Sequence, residues 1–220
     1  MAQTALYNTD TSDMYIPHGL FRTVFTTSDG IITSVDGSET ERVTAVHSYF
    51  DNVLRFLDAH HGGEDAIVWP VLSERCADAA GVIGRMEGEH ATIHQLRDRA
   101  GEALAAWQAS ATPANGDALS ASLSALHSKV DEHFAEEEAE VLPLASQHMS
   151  PEEWGALPGH AMQHFSGDKI WLILGLVFEQ MTPEQLTTTF ALLPPPVIDM
   201  WKSSGNVAFD EFMRQVRPTA

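Results

Sequence analysis

A single cysteine, Cys76, stands among 220 residues. One thiol cannot close an intrachain disulfide, and it cannot build a zinc knuckle or a thiolate-held iron–sulfur cluster. A lone thiol fits a reducing compartment, so a cytoplasmic location is expected. Basic residues are scarce as well: 12 Lys and Arg stand against 31 Asp and Glu, for a formal charge of −19. That balance repels phosphate backbones and argues against nucleic acid or anionic membranes as partners. Long apolar runs are missing too. The longest, Ile170 to Phe178, falls far short of the ~20 residues that span a bilayer. The opening residues, MAQTALYNTDTSD, hold neither a basic nor an apolar segment, so no secretion signal is expected. What is present is a chain that is 44% apolar, enough for a sizeable core.

The most informative stretch is His133 to Pro143, HFAEEEAEVLP. It has a twin at His60 to Pro70, HHGGEDAIVWP. Superposed, His60 meets His133, Glu64 meets Glu137, Ala66 meets Ala139, Val68 meets Val141 and Pro70 meets Pro143. In each copy a glutamate follows a histidine by four positions, which places both on one helix face. An imidazole nitrogen and a carboxylate thus converge, and two such faces set together can hold two metal ions.

Apolar periodicity predicts four helices around these motifs. Residues 1–16 read as an irregular arm. A short first helix starts at Pro17 and presents Leu20, Phe21, Val24 and Phe25, until SDGIITSVDGS ends it. The second begins near Ser38, with Glu41 completing a capping box, and runs a little past Pro70. Gly62 and Gly63 cost it roughly 1 kcal/mol each relative to alanine, which suggests close approach or open space there. The third covers about 79–109 and the fourth about 116–148. Short connections between amphipathic helices give an antiparallel four-helix bundle over 17–148, in an all-α chain. His18 and His60 are 42 positions apart, His90 and His133 are 43, so the bundle reads as a duplicated helical hairpin. Residues 149–220 have no counterpart in the repeat. They form a helical extension, with a capping box at Ser150–Glu153 and helices over about 160–180, from Thr182 to the prolines at 194–196, and over about 197–216, apolar enough to pack on the bundle.

Seven residues on the four apolar faces are candidate metal ligands: His18, His60, Glu64, His90, His94, His133 and Glu137. Nitrogen and oxygen donors without thiolate favour iron or manganese, with zinc third. His94 sits one turn after His90, whereas the matching position on the first helix is Arg22. One ion can therefore take His90, His94 and His133, and the other only His18 and His60. With both glutamates bridging, the second ion keeps an open position, where dioxygen, peroxide or nitric oxide would bind.

A lone His followed by HxxxE, HxxxH and HxxxE resembles the hemerythrin, or HHE cation-binding, family over about residues 14–148. The resemblance implies a four-helix bundle around a carboxylate-bridged diiron site. His18 and His60 then hold the oxygen-binding iron, His90, His94 and His133 the filled one, and Glu64 and Glu137 bridge. Oxygen-carrying hemerythrins place an aspartate five positions after the last histidine. Here Glu138 stands at five and Glu137 at four; the internal repeat and bacterial relatives with HxxxE favour Glu137, with Glu138 as the second choice. The extension is similar to those of longer actinobacterial hemerythrin-like proteins. The implied function is binding of dioxygen, peroxide or nitric oxide for sensing, storage or delivery. The alternatives are a diiron oxidoreductase acting on peroxide or a small substrate, or an iron store or donor. A homodimer through the extension is one role open to those last residues.

The other histidines read as structural. His61 faces about 100° away from His60 and is expected outside the ligand set or exposed. His47, His127 and His148 are expected at the surface. His160 and His164 form an HxxxH pair near solvent, or one of them approaches the open metal position. Glu87 and His90 match the ExxH of ferritin-like diiron proteins, but that class needs a second copy and none is present.

Overall fold

The computed structural model describes residues 6–218. They are helical throughout, with no strand among the described residues. Four long rods form the bundle: α1 (Tyr15–Thr33), α2 (Thr40–Gly63) continued by α3 (Trp69–Arg75), α4 (Ala80–Ala109), and α5 (Pro113–Glu136) continued by α6 (Leu142–His148). α1 packs on α2, α2 on α4, α4 on α5 and α5 on α1, which closes the ring. None of the described helices is long and apolar enough to cross a membrane.

α1 differs from its expected span at both ends. It starts at Tyr15, after a 3-10 turn at Ser12–Met14, so Pro17 lies inside the first turn, where no helical N–H partner is needed. It then runs through Ser28-Asp29-Gly30 to Thr33. Ile31 and Ile32 are buried, and their burial outweighs the turn signal of that tripeptide. The capping box expected at Ser38 and Glu41 does not form. α2 instead begins at Thr40, behind a turn in which Asp36 Oδ1 accepts from Ser38 N at 2.9 Å and Glu39 Oε2 accepts from Asp36 N at 3.0 Å.

Both metal motifs contain a π-helical turn, at Glu64–Val68 and at Glu137–Val141. The last wide bond of each runs from Trp69 N to Glu64 O and from Leu142 N to Glu137 O. Pro70 and Pro143 follow directly. A proline can donate no bond to the residue four back and its ring crowds that carbonyl. A wider turn just before it relieves the crowding, so the shared proline accounts for the shared π turn.

The extension holds α7 (Pro151–Trp154), α8 (Leu157–His164), α9 (Ile170–Glu179), α10 (Pro183–Leu192), α11 (Pro195–Met200) and α12 (Asn206–Val216), the last two joined by a π turn at Trp201–Gly205. The single helix expected over 160–180 is thus two, interrupted around Ser166–Lys169. Buried Asn52 holds that break: its Oδ1 accepts from Lys169 N at 3.0 Å and its Nδ2 donates to Asp168 Oδ1 at 2.9 Å. The capping box expected at Ser150–Glu153 forms, and a further one starts α10 at Thr182–Gln185. α8, α9 and α12 lie against α2, and α9 also touches α1. Phe209 packs so close to Gly175 that an added Cβ would sit 2.2 Å from its ring, so only glycine admits α12 to α9. The arm before α1 is tied down as well. Tyr7 N and Thr9 N donate to Gln147 O and Ser146 O at 2.8 and 3.0 Å.

Two apolar clusters divide the bundle. One contains Leu20, Leu57, Ile93, Val130 and Phe134. The other contains Met14, Val68, Met86, Val141 and Trp154. Each rod passes from one cluster to the other, and the histidines and glutamates of the motifs fall at the crossing. The polar layer is therefore sealed above and below by hydrocarbon.

Candidate metal centre

Six of the seven candidate residues meet in this layer. His18, His60, Glu64, His90, His133 and Glu137 are all buried, none more than 8% exposed. Glu64 Oε1 lies 3.1 Å from His60 Nε2 and its Oε2 lies 3.2 Å from His90 Nε2. Glu137 Oε2 lies 3.2 Å from His18 Nε2. His90 Nε2 and His133 Nε2 are 3.1 Å apart.

His94 is the exception. Its side chain is 65% exposed and faces Asp58 and Asp98, with nitrogen–oxygen separations of 3.8 and 3.9 Å. The buried stripe of α4 runs through Met86, His90, Ile93, Ala100, Leu104 and Trp107, on steps of four and three. That stripe drifts back along the rod, so a residue four after His90 turns outward while Ile93 turns in. In place of His94 the structure brings in His61, which sequence phase put outside. His61 is 8% exposed and stacks on His90 with ring centroids 4.3 Å apart. α2 is flanked by α1 on one side and α4 on the other, so both neighbouring directions are interior. A 100° step along it carries His60 toward His18 and His61 toward His90. The doublet His60-His61 was the available signal, read as one inward and one outward residue.

The resulting donors fall into two groups, each with atoms within 4.8 Å of one another: His61, Glu64, His90 and His133, and His18, His60, Glu64 and Glu137. Glu64 belongs to both. The twin motif also explains the unequal histidine count. The position matching His61 is Phe134, whose ring stacks on His18 at a centroid distance of 3.8 Å. One hairpin supplies a histidine there and the other an apolar wall.

Charged groups outside the layer fix three of the five imidazoles, His18, His90 and His133, by their Nδ1. Glu138 Oε1 lies 2.8 Å from His18 Nδ1 and also accepts from Arg22 at 2.6 Å. Asp65 Oδ1 lies 2.8 Å from His90 Nδ1 and accepts from the Trp69 indole at 2.8 Å. Glu89 Oε2 lies 3.0 Å from His133 Nδ1, and Lys129 holds the other oxygen. Glu138 thus supports His18 from outside while Glu137 points in, which separates the two neighbouring glutamates by role. In each case the bond to Nδ1 leaves Nε2 free to face the interior.

Electrostatics inside the layer are severe. Burial pushes His60 and His61 well below the ordinary imidazole range, and neighbouring imidazoles add to the effect. Burial also lowers His133. For His18 and His90 burial acts the same way but is overcome by adjacent carboxylates, chiefly Glu137 for the first and Asp65 and Glu64 for the second, which raise them to about 9 and about 10. Burial, with Glu137 nearby, raises Glu64 to about 7.

The arrangement leaves donors with nothing to bind. His18 Nε2, His60 Nε2, His61 Nε2, both Glu64 oxygens and Glu137 Oε2 are buried without a hydrogen-bond partner. Each such orphan costs about 1–3 kcal/mol. A set of imidazoles and carboxylates aimed at two common points, sealed by hydrocarbon, fits hard-to-borderline metal cations. Fold and site together define a helical bundle with a buried histidine–carboxylate cation centre. The hemerythrin HHE cation binding domain matches residues 10–145, and the chain belongs to that family. No curated protein and no solved structure matches the chain.

The remaining sequence candidates stay outside both groups. Gly62 borders open space, whereas Gly63 is approached by Leu157 and by His160, whose Nδ1 would lie 3.6 Å from an added Cβ. The His160 and His164 rings lie against each other, tilted by 31°, with centroids 4.1 Å apart. His47, His127 and His148, expected at the surface, are half-buried away from the centre.

Proposed function

We propose that the chain is a non-heme diiron protein that takes dioxygen, peroxide or nitric oxide at the His18–His60 side of the centre, for sensing, storage or delivery. In this reading one iron is held by His61, His90 and His133, the other by His18 and His60, with Glu64 shared and Glu137 completing the second group. Bound iron would supply reversible electron transfer and an open position for a diatomic ligand.

The observation that carries the reading is the unequal pair of groups. Three histidines serve one side and two serve the other, and Phe134 stands where a sixth would be. Each group has four donor residues, and the carbon ring beside His18 offers no further donor there, so an iron on that side would keep a position for a ligand in dry surroundings. Phe21 lines the same space, with its ring 5.5 Å from His60. Excluding water favours a small apolar ligand over solvent and protects a reactive one. Glu138, held by Arg22, accepts from His18 Nδ1, so Nε2 is the nitrogen turned to the centre, and a bound cation would displace the proton there.

The test is an optical titration of anaerobically iron-loaded, reduced protein. Stoichiometric uptake of dioxygen with new near-ultraviolet and visible absorption, reversed by removing the gas, is the expected result. Continuous consumption of dioxygen or peroxide in place of a stable adduct would assign the centre to catalysis and overturn the binding role.

A further inference from the structure

Away from the metal centre, bundle and extension together line a half-open cleft of about 490 Å³, between α1, α2, α9 and the chain just after α12. That volume lies in the range of small-molecule sites, roughly 300–1,000 Å³. Its apolar surface comes from Leu20, Val24, Ile31 and Leu176. Most polar groups along its walls are already engaged. Thr27 Oγ1 donates to Thr23 O at 2.8 Å, and the Thr26 hydroxyl sits 3.4 Å from His127 Nε2. Arg217 and Glu179 neutralise each other across 2.5 Å. Two groups remain. Tyr49 is 3% exposed, lines the cleft, and its hydroxyl has no hydrogen-bond partner among the described residues. Gln180 accepts from Thr23 at 3.5 Å through Oε1, which leaves its amide N–H groups to donate.

We propose that this cleft binds an uncharged, largely apolar small molecule whose hydroxyl or carbonyl oxygen accepts hydrogen bonds from the Tyr49 hydroxyl and the Gln180 amide. The Gln180 N–H groups only donate and the Tyr49 hydroxyl can donate too, so an acceptor oxygen on the ligand satisfies both. Burial pushes the Tyr49 phenol above its ordinary value, which keeps it protonated and donating. Among the described residues the charges on the walls, Arg217 and Glu179, are paired with each other, which disfavours a charged ligand. One wall is the bundle and the other the extension, which gives the last seventy or so residues a binding role independent of the metal centre.

The experiment titrates the full, metal-loaded chain with 2-naphthol and, separately, naphthalene, by calorimetry or probe fluorescence. The same apolar body with and without a hydroxyl isolates the polar contact. Saturable 2-naphthol binding at one site is expected, with naphthalene roughly three- to tenfold weaker. Tyr49→Phe should narrow the difference, and Tyr49→Phe with Gln180→Leu should bring the two affinities together. Gly30 borders the cleft, and a Cβ added there meets nothing within 4 Å. Gly30→Phe should therefore fold, keep its iron content and melting behaviour, and bind neither probe. Absence of saturable 2-naphthol binding up to its solubility limit, equal affinity for both probes in the parent chain, or undiminished binding in Gly30→Phe would each overturn the proposal.

Discussion

Replacing His61 by leucine separates what the centre costs from what it does. In the metal-free chain His61 Nε2 is a buried orphan, and His60, His90 and His133 crowd it electrostatically. An unsatisfied buried polar group costs about 1–3 kcal/mol, and leucine fills most of the same volume without one. The metal-free variant should accordingly melt at or above the parent temperature. Metal binding should move the opposite way. The group of His61, Glu64, His90 and His133 falls from four donors to three. Even outer residues that merely orient a ligand cost 10–100-fold in affinity, so losing a donor should cost at least about 100-fold. His94→Ala is the control. It removes only exposed pairings at 3.8 and 3.9 Å, worth about 0–1 kcal/mol, and touches neither group. The assay is iron per chain after anaerobic loading and desalting, beside thermal melts with and without metal. His61→Leu should keep about half the parent iron and His94→Ala all of it. Full iron in His61→Leu, or loss of one iron in His94→Ala, would refute the assignment.

Three further outcomes follow from the same geometry. Phe134→His supplies the histidine that the His18 side lacks; it should keep the iron content of the parent and abolish the air-induced spectral change. Glu138→Gln weakens the hold on His18 Nδ1 and should lower metal affinity on that side by about 10–100-fold, read by competition with a chelator, while the far-ultraviolet circular dichroism stays unchanged. The third concerns pH. The Arg75 guanidinium, bonded to both oxygens of Glu153, holds that carboxyl below the ordinary glutamate range, helped by Ser150 N. A depressed native value stabilises the fold above the unfolded pKa, and the contribution disappears as pH falls through the native one. Melting temperatures of the parent and Arg75→Met should thus differ at neutral pH and converge in acid; a constant gap down to pH about 2 would contradict the linkage.

The repeat made most of the bundle legible. Residues that occur twice at matching positions, such as His60 with His133 and Glu64 with Glu137, could be placed without knowing any neighbour. What failed were features that depend on which helix lies beside which. His94 shares an ideal helical face with His90, but α4 buries a stripe that drifts away from it. His61 looked outward from a helix considered alone, yet α4 lies on that side and makes it interior. The π turns were equally hidden, although Pro70 and Pro143 marked their ends. α1 outran its turn signal because tertiary burial of Ile31 and Ile32 outweighs local propensity. Glu137 and Glu138 separated only once Arg22 was seen to draw Glu138 outward.

The central claim is that two iron ions share Glu64 while His61, and not His94, completes the set. Anomalous diffraction at the iron edge from crystals of the loaded chain tests it most directly. Two peaks are expected, one beside His61, His90 and His133, the other beside His18 and His60, with Glu64 contacting both. A single peak, or a peak with His94 as its ligand and His61 free, would contradict the account.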